Sequence, residues 1–368
     1  MARGVADLPR IVIRSQGWAG GVNQRDALPQ IRADEAKVME NGVLDQRGAF
    51  AKRLGCESHG VFGAPGEHAL SMHTYYRAAL APPQILMYTS QGNLYYTNDP
   101  LADTVVWNLI TGGLSTTKPF SYETFNSLVY MGNGVNDFCK WDGANITLFP
   151  TAPKGAFLKL WKDTMFVSGN DATPDRVYES AAGNAESWPV SGWIDIGRGD
   201  GDRVTALATD GQNLIVFKRD RHWTIYDPVQ LFNRVVDFEK GCESHFSVVE
   251  FESEIFFLSR RGICRFFGDS PSQIISTKVD PLFDHEVINF DALHTVTTYT
   301  VGNQVGWAIP EVGHNEPTFQ LEYYPRLTAV DPSGGRGSGP FVFHRMPCGV
   351  FTHYRWGTAD HLFGGKSG

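Results

Sequence analysis

Short apolar runs alternate with compact polar turns along most of this chain, and one stretch displays the unit most clearly. Residues 213–228, NLIVFKRDRHWTIYDP, hold an apolar run (Leu214, Ile215, Val216, Phe217), a polar break (Lys218, Arg219, Asp220) and an aromatic run (Trp223, Thr224, Ile225, Tyr226). The first run is too short and too β-branched for a helix and predicts a buried strand, with the aromatic run as its hairpin partner. A lone hairpin is barely stable in water, so the information lies in its recurrence.

Apolar strands of this kind begin near Leu86, Leu128, Met165, Leu214, Ile255, Val305 and Leu362, spaced 37 to 57 residues apart. A turn follows each, and in all but the last an aromatic strand comes next, around Tyr95, Trp141, Tyr178, Trp223, Phe266 and Tyr323. A period of about 40 to 50 residues with about four strands per unit is the signature of a β-propeller, whose blades must continue until the ring shuts. The prediction is an all-β fold, a β-propeller of six to seven blades. A large β-sandwich is the alternative, although its strands recur at shorter intervals.

The two ends differ from this pattern. Residues 1–69 read as an N-terminal strand (Arg10 to Arg14) and an extended arm, and residues 70–368 as the propeller. Asp34-Glu35-Ala36 suggests a helical turn, and Glu40-Asn41-Gly42 and Asp45-Gln46-Arg47-Gly48 suggest hairpins. Such an arm either binds a neighbouring subunit or packs on its own domain. The last unit stops in its turn at Gly364-Gly365, so the last blade is incomplete as written. Arg10 to Arg14, a neighbouring chain, or further sequence would supply what is missing.

Composition narrows the class. Aromatics reach 12%, and 39 Gly with 20 Pro make turns dense, as many short strands require. No apolar run is long enough to span a membrane, and the start shows no secretory signal. Five cysteines without C-x-x-C spacing suggest free thiols and folding in a reducing cytoplasm. A net charge of −8 disfavours binding through phosphate neutralisation.

Candidate chemistry is sparse. Asp195, Asp200 and Asp202 lie in a Gly-rich loop that could hold a hard cation, but its spacing is not that of an EF-hand, and a solvated turn is the simpler reading. Scattered histidines form no recognisable motif, and no cofactor is expected. The chain is therefore read as a non-enzyme. Lys218, Arg219 and Arg221, with Arg260 and Arg261 one unit later, occupy the same turn of successive blades and could form a basic rim for a partner. In the arm, Asn23, Arg25, Arg47 and Arg53 are further candidate contacts.

Two stretches carry a resemblance. One is the arm pattern Gly21-Val22-Asn23, Asp34-Glu35-Ala36, Glu40-Asn41-Gly42-Val43-Leu44-Asp45, Gly48 and Lys52-Arg53-Leu54-Gly55. The other runs from Trp193 to Asp284. Together they resemble the β-propeller neck and tail proteins of tailed bacteriophages, of the podophage tail nozzle and hub (packaged-DNA stabilisation) kind. The resemblance implies a virion protein folded in the bacterial host cytoplasm. It also implies a homo-oligomeric ring, with a hexamer favoured, that passes double-stranded DNA without reading its sequence. Adaptor, fibre or spike proteins would be its partners. The alternative is a glycan-recognising propeller, receptor-binding or hydrolytic, in which Trp107, Trp141, Trp188 and Trp193 would stack on sugars.

Overall fold

The computed structural model describes residues 17–58, 62–77, 81–227, 233–266, 271–327, 339–346 and 348–365. Six four-stranded antiparallel sheets follow one another, at residues 69–111, 121–149, 157–195, 206–237, 249–274 and 297–344. They are blades 1 to 6 of a β-propeller. In each, strands pair in chain order, and the first strands of successive blades touch around a central channel. A seventh sheet of two strands, Val350–Trp356 and Ala359–Gly365, places its first strand between those of blades 6 and 1 and so completes the ring.

All seven sequence anchors fall in one structural position, the second strand of a sheet. That position is sandwiched between neighbouring blades, which is why it reads as an unbroken apolar run. In Leu214–Phe217, Leu214 and Val216 join the core shared with blade 3, while Ile215 and Phe217 join the core shared with blade 5. Strand alternation thus feeds two cores at once. In blades 2, 3 and 5 two-residue turns lead into this strand. Asn126-Ser127, Lys162-Asp163 and Glu252-Ser253 all have positive φ, the geometry of the hairpin turn whose twist matches its strands.

The arm packs on its own chain. Glu35–Ala36 pairs in parallel with Gly21–Val22, so the helical turn expected at Asp34-Glu35-Ala36 is a short strand instead. Gly42–Leu44 pairs with Phe50–Lys52 across the Asp45–Gly48 turn. Asn41 N–H donates to the Phe343 carbonyl and Phe343 N–H to that of Met39, extending the outer edge of blade 6 and covering it. Gly21, at φ +67, passes so near Pro340 that a Cβ would lie 2.5 Å from the Pro340 Cα. Val22, Met39 and Leu44 enter the core cluster of blades 5 and 6. The strand expected at Arg10 to Arg14 lies outside the described residues.

Candidate functional site

The loops from fourth to first strands and those from second to third strands gather at one end of the ring, around a cavity of about 460 Å³. The Lys218–Asp220 and Arg260–Arg261 turns do lie at this end, in equivalent places on blades 4 and 5. Arg219 and Arg260 line the cavity mouth. Arg260 pairs with Glu243, and Arg261 with Glu239 at 2.9 Å. Arg221 is half-buried, and its carbonyl accepts from Lys218 N–H.

Lys218 corrects the sequence reading, because its side chain is 0% exposed and cannot meet a partner. Its Nζ donates to Asp175 Oδ1 at 2.8 Å and Asp200 Oδ1 at 2.7 Å, with the carbonyls of Gly197 and Asp202 at 3.3 and 3.4 Å. Two carboxylates and two carbonyls form the oxygen cage that the aspartate-rich loop suggested for a cation. The cation inside is the protein's own ammonium. Gly197 suits the cage, since its φ of +56 is backbone that favours glycine and a Cβ would lie 2.6 Å from Asp200 Oδ2 and 2.9 Å from the Trp223 ring. Burial alone would raise the Asp175 pKa, but Lys218 and the Gly199 N–H hold it below the usual carboxylate range.

The other loop acids are also engaged. Asp195 binds Arg176 at 2.9 Å, and Asp202 accepts from Arg219 N–H at 2.9 Å. The metal reading of Asp195, Asp200 and Asp202 is therefore replaced by ion pairing. Among the described residues no group of three or more His, Cys, Asp or Glu is placed to hold a metal ion.

Below the mouth, a second cavity of about 380 Å³ occupies the channel between the first strands. His245 and Phe246 line both cavities and stand between them. They sit on a single 3-10 turn, His245–Ser247, in the loop that enters blade 5. His245 Nδ1 accepts from Leu207 N–H at 3.4 Å, and Nε2 lies 3.2 Å from Ser121 Oγ, so a neutral ring satisfies both contacts. Burial, with the nearby Lys159 charge, pushes its pKa down to about 3.

Lys159 of blade 3 reaches Glu123 of blade 2 at 3.4 Å and Glu250 of blade 5 at 2.8 Å, tying blades together across the channel. Burial alone would lower the Lys159 pKa, but the two glutamates outweigh it and keep the ammonium charged. Burial raises Glu123, with Lys159 opposing. Beside Glu123, His73 of blade 1 stacks on Tyr122 of blade 2 at 5.1 Å, its pKa pushed down to about 4 by burial. The sequence did not expose this constellation, because its members are single polar residues in first strands that carry no motif.

The arm candidates separate. Asn23 is buried, donating to Glu35 at 2.8 Å and Asp26 at 2.9 Å, so it supports the arm and is not open to a partner. Arg25 is exposed near Asp280, and Arg47 is exposed at its turn. Half-buried Arg53 reaches Met346 Sδ at 2.8 Å. Of the four tryptophans, Trp141 is blade core, donating to Gln84 at 2.9 Å. Trp107 and Trp188 are half-buried, and Trp193 is exposed, with the Arg176 guanidinium 3.4 Å from its ring centroid on one face.

This closed ring of blades defines the chain as a β-propeller. BBS1N, crystallised in complex with ARL6DN, superposes with a TM-score of 0.50 at 10% identity, covering 81% of this chain and 90% of that one. Such low identity speaks to the fold alone. Raptor from Chaetomium thermophilum (TM-score 0.48, 12% identity, 78% of this chain and 27% of that chain) is also similar. So is the computationally designed protein Ika8 (0.44, 9%, 82% and 95%). No protein-family profile and no curated protein sequence matches the chain.

Proposed function

We propose that this propeller is a non-enzymatic structural subunit of a tailed-bacteriophage neck or tail. It would assemble as a symmetric homo-oligomeric ring, with six copies favoured, that continues the DNA channel and offers docking surface to other tail components. The phage assignment rests on the sequence patterns of the arm and of residues 193–284. The observation that supports a structural role is the stoppered interior: His245 and Phe246 separate the channel from the mouth, and Lys159, Glu123 and Glu250 are spent on one another. A channel cavity of about 380 Å³ cannot admit a duplex, so DNA would run through the opening between subunits, with the propeller as wall.

Native mass spectrometry of the purified chain tests this reading. A ring-sized assembly with a discrete copy number is expected. A monomer at all concentrations that binds or cleaves glycans would overturn it in favour of a sugar-recognising propeller.

A further inference from the structure

We infer that the 460 Å³ mouth is a docking site for an extended acidic segment of another protein, one that carries an aromatic or aliphatic side chain between its carboxylates. The site stands on its own geometry, whether or not the chain belongs to a tail.

Its floor is apolar and aromatic, with Phe157, Phe246 and Phe290 beside the neutral His245. Its walls carry both signs. Lys118, Arg203, Arg219 and Arg260 line it, against the acids Asp171, Glu243 and Asp291, in a chain whose net charge is −8. With Asp202 beside Arg219, four cations stand among four acids, so the mouth is near charge balance in a chain that is acidic as a whole, and an acidic partner meets less repulsion there than the net charge implies.

The arginines are not equally engaged. Arg260 is matched by its own Glu243. Arg203 shares Asp171 with Lys118, two cations on one carboxylate, at 3.3 and 2.7 Å. The Arg219 guanidinium approaches the Asp202 carboxylate only to 3.7 Å, outside hydrogen-bonding range. Arg203 and Arg219 have side chains 53% and 51% exposed, and each offers a planar fork of donors that fits a carboxylate.

A guanidinium wall over an aromatic floor selects a ligand with both characters. A polyphosphate backbone has nothing to lay on the Phe157, Phe246 and Phe290 floor, whereas a peptide side chain fills it. Peptide is therefore the ligand class that both wall and floor accept.

Fluorescence anisotropy on the full chain tests the site with a labelled octapeptide, Glu-Glu-Glu-Phe-Glu-Glu-Glu-Glu. Controls are its all-Gln counterpart, the same peptide with Gly for Phe, and a short DNA duplex. Saturable, salt-sensitive binding of the Glu/Phe peptide is expected, with each control weaker. The double variant Arg203→Ala/Arg219→Ala should weaken binding by about tenfold or more, roughly 1.4 kcal/mol. Both side chains are exposed, so the variant should fold, and an unchanged melting midpoint checks that. Undetectable binding of the Glu/Phe peptide, equal binding of the Glu and Gln peptides, an unaffected double variant, or tighter binding of the duplex would each overturn the proposal.

Discussion

Blade 4 and the seventh sheet hold the same place in the ring and are built to different standards. In blade 4 the second strand, Leu214–Phe217, is buried at every residue and serves two cores. In the seventh sheet the equivalent strand, Ala359–Gly365, leaves Asp360, His361 and Gly364 exposed and Leu362 and Phe363 half-buried. Among the described residues, Tyr354 is buried, but none from 350–365 belongs to the hydrophobic clusters of the six blades. Instead, the Thr74–Thr352 hydroxyl contact at 2.8 Å, the Arg355 N–H to Tyr76 hydroxyl bond at 3.1 Å and the Tyr299–Phe351 ring contact at 4.6 Å tie it to blades 1 and 6. A propeller strand gains its burial from sheets on both sides and strands beyond it. The seventh sheet, with two strands among the described residues, has the neighbours without the depth.

The sharpest way to break the comparison is to truncate equivalent side chains. Leu214→Ala removes a fully buried side chain and should cost about 2–5 kcal/mol. Leu362→Ala, in a half-buried position, should cost well under half of that. Urea unfolding of both variants checks this, and equal losses would show that the seventh sheet is as well packed as a complete blade.

Blade 4 also depends on its internal cation. Lys218→Ala leaves Asp175 and Asp200 facing each other with no ammonium between them, and should destabilise by about 3 kcal/mol. Arg219→Ala, one residue along and half-exposed, should cost less than about 1 kcal/mol. If the two variants melt alike, the cage is not structural.

A smaller effect comes from protons. His245 has its pKa pushed down to about 3, below the ordinary histidine value near 6.5, so the unfolded chain takes up a proton before the folded one does. Its contribution is complete above about pH 6.5 and is lost as pH falls toward 3. Asp175 and Glu35 are held below the carboxylate range, so their contributions are present above that range and are lost as pH falls through their folded values. These three signs agree, and Glu123, raised by burial, works against them, so the melting midpoint should fall from pH 7 to pH 4 less steeply than the three alone would give. His245→Gln should flatten the upper part of that slope, between about pH 6.5 and 5.

How much was legible in the sequence follows from which surfaces each strand faces. The second strands could be read because burial on both sides writes an unbroken apolar run. The first strands of blades were missed, since residues such as Ser121, Glu123 and Lys159 face a polar channel and interrupt the pattern. Lys218 was misread as a rim residue because its carboxylate partners lie 43 and 18 positions away, and no local pattern announces them. The aspartate-rich loop reads in sequence as a solvated turn before a cation site, and in the structure only Asp200 of its three candidate acids gives its carboxylate to Lys218, a side chain from another strand. Nothing in the spacing of the histidines singled out His245, whose role as a stopper comes from the loop that carries it across the channel.

The most direct test is hydrogen–deuterium exchange resolved to individual strands under native conditions. Six finished blades joined by a shallower seventh sheet predict that amides of Leu214–Phe217 and Glu254–Ser259 exchange only through global unfolding. Those of Ala359–Gly365 should exchange through a lower-energy local opening. Equal protection across all seven second strands would contradict the account.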